Sequence, residues 1–174
     1  MGTKRVGLAR TQALIENLKR ELSMAGSTWK GTRRPVTALS DAAGAGANRT
    51  ALTVAESGTI FTVPELTVGT QTITLPALAS TAVGTTYTFV MIDTADQIFN
   101  VLGADSDKIL AVKPDGDGNN TAISQGYDLI GFKAAAVLGS SFTVTCISST
   151  AAVGWLATDV IDGLAANVGS INLA

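Results

Sequence analysis

Short runs in which threonine alternates with large apolar residues dominate the chain after residue 58. Alternation with a period of two is the pattern of a β-strand that buries one of its faces. In one run, Tyr87, Phe89 and Met91 alternate with threonine and valine. The pattern predicts seven strands, at residues 59–63, 70–75, 86–92, 97–102, 108–112, 128–133 and 141–147.

Glycine, proline and aspartate separate these runs and predict turns between the strands. Pro64 and Pro76 close the first two runs, as expected for a residue that cannot donate to a β-ladder. Seven or eight short strands joined by turns predict a mainly β fold, an antiparallel β-sandwich or jelly-roll-like domain over residues 51–174. Trp155 is expected to fill its core, and residues 159–174 to form an edge strand or a tail on a neighbouring subunit.

The N-terminal segment has a helical pattern instead. Its apolar residues recur at the spacing of one helix face, with polar residues between them. Thr11 is a suitable N-cap and Gly26 a suitable C-cap, so the pattern predicts a helix over about residues 12–25. The apolar stripe consists of Leu14, Ile15, Leu18 and Leu22.

Residues 27–48 are rich in glycine and alanine and predict an extended linker. Trp29 stands out in this linker as either an anchor in a partner's pocket or a lid over the chain's own core. Helix and linker together form a predicted N-terminal arm over residues 1–50.

The charge distribution separates the arm from the β domain. Residues 1–49 carry nine basic and three acidic side chains, a net charge of +6, whereas residues 50–174 carry three basic and eleven acidic ones, a net charge of −8. A basic arm on an acidic body indicates two parts with different partners. The amphipathic helix and the lack of aromatic residues among the cations favour a protein surface over nucleic acid as the arm's partner.

The composition argues against an enzyme. The chain has no histidine and one cysteine, which excludes imidazole general bases, Cys–His nucleophile pairs and intrachain disulfides. No cofactor motif is present. The sequence has neither a long apolar run nor the apolar stretch of a secretory signal, so we expect a soluble protein made in the cytoplasm with no membrane partner.

Aspartates near the middle of the chain are the remaining catalytic or metal-binding candidates. Two carboxylates can perform acid–base chemistry or bind Ca²⁺. Read as an EF-hand loop from Asp115, however, the sequence places Asn120 where glycine is required and Gly126 where glutamate is required. We therefore interpret the cluster as turn residues and predict no metal site. Its members are Asp105, Asp107, Asp115 and Asp117.

Three stretches of the β region share a distinctive style of sequence. They are ITLPALASTAVGTTYTFVMIDTAD, DLIGFKAAAVLGSSFTVTCISS and VGWLATD. These stretches resemble the small β modules on the outside of tailed-bacteriophage particles. Among these modules the short chain with a basic arm is most similar to capsid decoration (cement) proteins. This resemblance implies β domains clustered on the capsid exterior, as homotrimers, with arms that reach over neighbouring major capsid subunits.

Sequence and resemblance together predict a virion structural protein, made in the host cytoplasm, that clamps the major capsid protein and stabilises the head without a cofactor. The alternative is a tail or fibre-tip module whose loops around Asp105 and residues 115–120 bind a host receptor or glycan. The residues expected to bind the capsid are Lys4, Arg5, Arg10, Leu14, Ile15, Leu18, Leu22, Trp29, Arg33 and Arg34.

Overall fold

The computed structural model describes residues 11–17, 34–41, 49–67, 69–114, 120–122, 126–134, 136–150, 153–161 and 171–173. The chain divides into two compact units, Met1–Arg33 and Arg34–Ala174. In the second unit, the described strands are β1 (Val36–Ala38), β2 (Ile60–Val63), β3 (Gln71–Thr74), β4 (Thr86–Met91), β5 (Phe99–Leu102), β6 (Lys108–Leu110), β7 (Val112–Pro114), β8 (Asn120–Ala122), β9 (Leu129–Phe132), β10 (Ser141–Cys146), β11 (Val153–Ile161) and β12 (Ile171–Leu173).

In the first unit, residues 11–17 are helical. A helix is therefore present at the predicted place, although Thr11 already belongs to it and is not the residue before it. The predicted remainder of this helix, residues 18–25, lies outside the described residues.

The β domain begins earlier than the sequence pattern suggests. Val36–Ala38 pairs with β2, and Leu39 is buried in the core. These residues belong to the predicted linker, but they form the edge strand β1. Along the chain, the boundary between the two units falls between residues 33 and 34. The sequence pattern placed the start of the β domain at residue 51.

Two sheets form a β-sandwich, as the alternating pattern predicts. The six-stranded sheet has the order β1-β2-β4-β10-β11-β6, and the four-stranded sheet has the order β12-β9-β5-β3. Strands β7 and β8 form a separate antiparallel pair. All seven strands predicted from the sequence are present, with ends that differ by at most two residues.

The sheets are mixed and not purely antiparallel, which corrects the sequence-based expectation. The pairs β1–β2, β2–β4, β3–β5 and β6–β11 are parallel. For β2–β4 and β3–β5 the reason is the path of the chain, because β2, β3, β4 and β5 alternate between the two sheets. A chain that crosses to the opposite sheet and returns places its next strand parallel to the previous one. Gly84 and Gly139, with φ of 92° and 89°, form turns that lead into β4 and β10.

A continuous aromatic cluster joins the two sheets. Phe89 of the six-stranded sheet lies 5.6 Å from Phe99 of the four-stranded sheet, and Phe142 lies 5.0 Å from Phe132 in the same way, between ring centroids. All five phenylalanines of the chain belong to this cluster, and each is fully buried. Trp155 is also fully buried and lies 6.1 Å from Tyr87, which confirms its predicted place in the core.

Two side chains in the core, Gln71 and Trp155, have polar atoms without a hydrogen-bond partner among the described residues. Gln71 of edge strand β3 is fully buried, and neither its amide oxygen nor its amide nitrogen has a hydrogen-bond partner there. Burying an amide without a hydrogen bond costs about 1–3 kcal/mol in proteins. Gln71 therefore lowers the stability of the sandwich.

Replacing Gln71 with methionine is expected to raise the free energy of unfolding by about 1–2 kcal/mol, because the side-chain volume is kept and the unpaired amide is removed. Urea denaturation followed by circular dichroism measures this change. Gln97→Met, at a half-exposed position, is the matched control and should stay within about 0.5 kcal/mol of the wild type. A loss of stability in Gln71→Met would contradict the prediction.

Candidate functional site

Two of the predicted capsid-binding residues lie on the described helix and face solvent. Leu14 is 62% exposed and Ile15 is 54% exposed. Every residue from 11 to 17 is exposed. Exposed large apolar side chains next to each other are a feature of binding surfaces.

Arg34 is the third predicted binding residue that the structure describes, and it bonds to the β domain. Its Nε donates to the carbonyl oxygen of Gly58 at 3.0 Å, and its Nη2 donates to the hydroxyl of Thr88 at 2.9 Å. Part of its guanidinium is therefore engaged inside the domain, although the residue as a whole is exposed. The other predicted residues, Lys4, Arg5, Arg10, Leu18, Leu22, Trp29 and Arg33, lie outside the described residues.

The described aspartates of the central cluster have local structural roles. Asp105 has a φ of 50°, a left-handed conformation that aspartate tolerates in turns. The Asp107 carboxylate accepts a hydrogen bond from the backbone N–H of Leu78 at 2.9 Å and so holds the 3-10 turn Leu78–Ser80. Asp115 and Asp117 lie outside the described residues. Within the part of the chain that the structure describes, no group of three acidic or sulfur side chains could hold a metal ion.

A shallow groove of about 510 Å³ lies beside the 3-10 turn Val54–Glu56. The Glu56 carboxylate pairs with Arg49 and accepts hydrogen bonds from the backbone N–H and the hydroxyl of Thr53, both at 2.9 Å. The guanidinium carbon of Arg49 lies 5.3 Å from the ring centroid of Phe61. The charged groups of the groove, Arg49 and Glu56, therefore pair with each other, and Arg49 lies over the core residue Phe61. The sequence pattern Thr53-x-x-Glu56, a capping box, could have revealed this arrangement.

The two weakly acidic groups buried near Trp155 remain neutral at physiological pH. Burial, followed by the nearby Cys146, raises the pKa of Tyr87 to about 12, and the Tyr87 hydroxyl donates to the carbonyl oxygen of Thr53 at 2.9 Å. Burial also raises the pKa of the Cys146 thiol. Cys146 is therefore no activated nucleophile, because the thiolate is the reactive form. Cys146 is fully buried in β10.

The outward-facing side chains of the central strands of the six-stranded sheet are uncharged, and the Arg34 guanidinium bonds to one of them, Thr88. We call the outward-facing side chains of β2, β4 and β10 the threonine face. Its strands alternate half-buried outward residues with fully buried inward ones. The sequence analysis treated the outward threonines only as strand formers, although the absence of charged residues from β4 and β10 could have indicated a surface. The members of the threonine face are Ile60, Thr62, Thr86, Thr88, Val90, Ser141, Thr143 and Thr145.

No protein-family model matches the chain, and no curated protein matches it. Among the described residues, no helix is long and apolar enough to cross a membrane. Function is therefore argued from the residues and surfaces described above.

Proposed function

We propose that this chain is a structural protein of a tailed-phage virion, a capsid decoration (cement) protein that clamps neighbouring major capsid subunits from outside the head. One observation carries the proposal. Leu14 and Ile15 are displayed on a helix that belongs to a different compact unit from the β domain, and that domain fills its core with its own residues. In this proposal, the exposed apolar side chains of the helix are covered by a surface of another protein.

In this proposal the two units have different roles. The basic first unit contacts the shell, where Lys4, Arg5, Arg10 and Arg33 pair with acidic groups and Trp29 fills a pocket. The acidic β domain, with no catalytic arrangement among its described residues, faces solvent. No cofactor takes part, and the protein is made in the host cytoplasm before it joins the virion exterior.

The strength of binding to the capsid comes from many copies that bind together. A fully buried leucine or isoleucine contributes about 1.5–3 kcal/mol, so one arm alone binds modestly. Copies joined to each other, as in the homotrimer that the resemblance implies, bind the shell through several arms at once, and linked contacts raise the apparent affinity without any new contact. The function served is a head that resists the pressure of its packaged DNA.

The double variant Leu14→Asp/Ile15→Asp in the full chain is expected to bind heads at least about 100-fold more weakly, because two buried apolar side chains are replaced by charges. Co-sedimentation with purified empty heads of the phage that encodes the chain measures this affinity. High salt should weaken the wild type only in part, because screening acts on the basic residues and not on the apolar pair.

The matched control is Gln12→Asp/Asn17→Asp, which adds the same charge at two exposed positions of the same helix. It should lose much less affinity than the apolar variant. Equal losses of affinity in both variants would show that the added negative charge, and not the loss of the apolar side chains, weakens binding. A wild-type chain that does not bind heads would overturn the proposal. Binding to host cells by the free protein would then favour the fibre-tip alternative.

A further inference from the structure

Residues 34–39 hold the start of the β domain on its six-stranded sheet, and we call this segment the strap. It contains β1, the three-residue strand at the border of that sheet. Near its start, the N–H of Ile60 donates to the carbonyl oxygen of Pro35 at 2.8 Å. At its end, the N–H of Leu39 donates to the carbonyl oxygen of Thr62 at 2.9 Å. So short a strand makes few backbone hydrogen bonds, and its stability therefore depends on side chains as well.

An apolar side chain holds only the end of the strap. Leu39 is 4% exposed and belongs to the hydrophobic core. Residues 34–36 are exposed, and Val36 among them is 63% exposed. Burial therefore fixes the end of the strap that continues into the β domain, and it does not fix the end that joins the first unit.

Arg34 supplies polar contacts at the start of the strap. The backbone there is poor in donors, because Pro35 has no N–H group. A residue before proline also favours an extended conformation, which limits the alternatives open to Arg34. Its Nε donates to the carbonyl oxygen of Gly58, and its Nη2 donates to the Thr88 hydroxyl. Hydrogen bonds from a charged donor are roughly twice as strong as those between neutral groups.

Both acceptors of these bonds are held by β4 and its neighbours. Gly58 adopts a left-handed conformation with a φ of 85°, and its N–H donates to the carbonyl oxygen of Thr86 at 2.7 Å. Thr88 lies in β4, and its hydroxyl is hydrogen-bonded to that of Thr143 in β10 at 3.0 Å. Because Thr88 accepts from Arg34, its own proton is available for Thr143. The Arg34 side chain therefore ties the strap to β4, one strand beyond the backbone partner β2.

We propose that Arg34 is a positioning residue, which closes the strap on the β domain and does not contact the capsid. With the strap closed, the chain enters the β domain at residue 34. Release of residues 34–39 would lengthen the connection between the two units by up to about 20 Å. Arg34 thereby sets the reach of the first unit. This consequence rests on the proposed clamp, whereas the closing of the strap does not.

Hydrogen exchange of the full-length protein without heads, followed at the amides of Leu39 and Ile60, tests the proposal. Arg34→Met is expected to raise both exchange rates at least about 10-fold, because the closed strap loses two hydrogen bonds from a charged donor. The Phe142 amide should keep its rate, which shows that the core is intact. The matched control Lys133→Met removes the same charge beyond β9 and should change the two rates by less than about 2-fold.

A double-mutant cycle with Thr88→Val tests the contact itself. Thr88→Val removes the accepting hydroxyl and should also raise both rates, and Arg34→Met should then raise them less than it does in the wild type. Thr145→Val is the control for loss of a threonine pair, because the Thr86–Thr145 hydrogen bond does not involve Arg34. It should leave both rates close to those of the wild type.

Three exchange results would overturn the proposal. They are wild-type rates in Arg34→Met, equal acceleration by Lys133→Met, and effects of Arg34→Met and Thr88→Val that simply add. Head binding gives a further test, because Arg34→Met should keep the salt dependence of the wild type. A weaker salt dependence would show that Arg34 pairs with an acidic group of the shell instead. A wild type that does not bind heads would overturn the clamp alone, since the exchange rates are measured without heads.

Discussion

Replacing Phe89 with alanine is expected to lower the free energy of unfolding by about 4 kcal/mol. Phe89 contacts three other phenylalanines, with ring centroids 5.4 Å from Phe61, 5.6 Å from Phe99 and 5.1 Å from Phe142. A Phe→Ala change in a core costs about 3–5 kcal/mol through lost burial and the cavity left behind. Because Phe89 joins β2 and β10 to the opposite sheet, relaxation of one strand alone cannot fill this cavity.

Urea denaturation with circular dichroism and tryptophan fluorescence measures the loss. Val83→Ala is the control, because Val83 is 63% exposed and its truncation should change stability by no more than about 0.5 kcal/mol. A Phe89→Ala loss below about 1.5 kcal/mol would show that the aromatic cluster is not the centre of the core.

Replacing Gly131 with alanine is the second change with a large expected effect, a loss of about 3 kcal/mol. Gly131 is buried in β9, where it pairs with Asn100 of β5 and Asn172 of β12. A Cβ atom built on Gly131 overlaps the carbonyl oxygen of Phe99 and lies 2.9 Å from the Cα of Asn100. These are backbone atoms, so β5 and β9 would have to separate. Overpacking that forces backbone shifts typically costs about 1–3 kcal/mol, and occasionally more.

Thermal and urea unfolding of Gly131→Ala should both show the loss. Ala38→Val is a suitable comparison, since it also adds bulk to a strand but at an exposed position of the edge strand β1. It should leave stability within about 0.5 kcal/mol of the wild type. Gly131→Ala with wild-type stability would mean that β5 and β9 are not paired in the register described here.

The strands could be predicted from the sequence because each buries one face. Thr86–Met91 and Ser141–Cys146 alternate fully buried and half-buried residues without exception, so the period of two is clear in the sequence. Trp155 was recognised for a related reason, since a large aromatic side chain in a β domain is most stable in the core. All seven strands predicted from the alternation lie within the described residues, whereas the helix predicted for the first unit extends beyond them.

The arrangement of the strands could not be predicted in the same way. Alternation shows which side chains face the core, but it does not show which strand is the neighbour or in which sheet a strand lies. Strands β2 and β3 follow each other in the chain but lie in different sheets, and nothing local in the sequence distinguishes such a crossing from a hairpin. Strand β1 was missed because three residues are too few to show a period, and only its pairing with β2 and the burial of Leu39 define it.

The candidate site was predictable only in part. The helical pattern singled out Leu14 and Ile15, and both are exposed on the described helix. The bonds from Arg34 to Gly58 and Thr88 join residues far apart in the sequence, so no local pattern reveals them. The threonine face likewise depends on strand order, because β4 and β10 become neighbours only in the folded sheet.

Hydrogen exchange of the full-length protein, free and bound to empty heads, tests the proposed clamp most directly. The proposal predicts that amides in residues 11–17 exchange more slowly on the heads, because the helix carrying Leu14 and Ile15 becomes covered. Amides of the aromatic core, such as Phe89 and Phe142, should keep their exchange rates. Unchanged exchange in residues 11–17, with protection confined to the β domain, would contradict the claim that the helix holds the protein on the capsid.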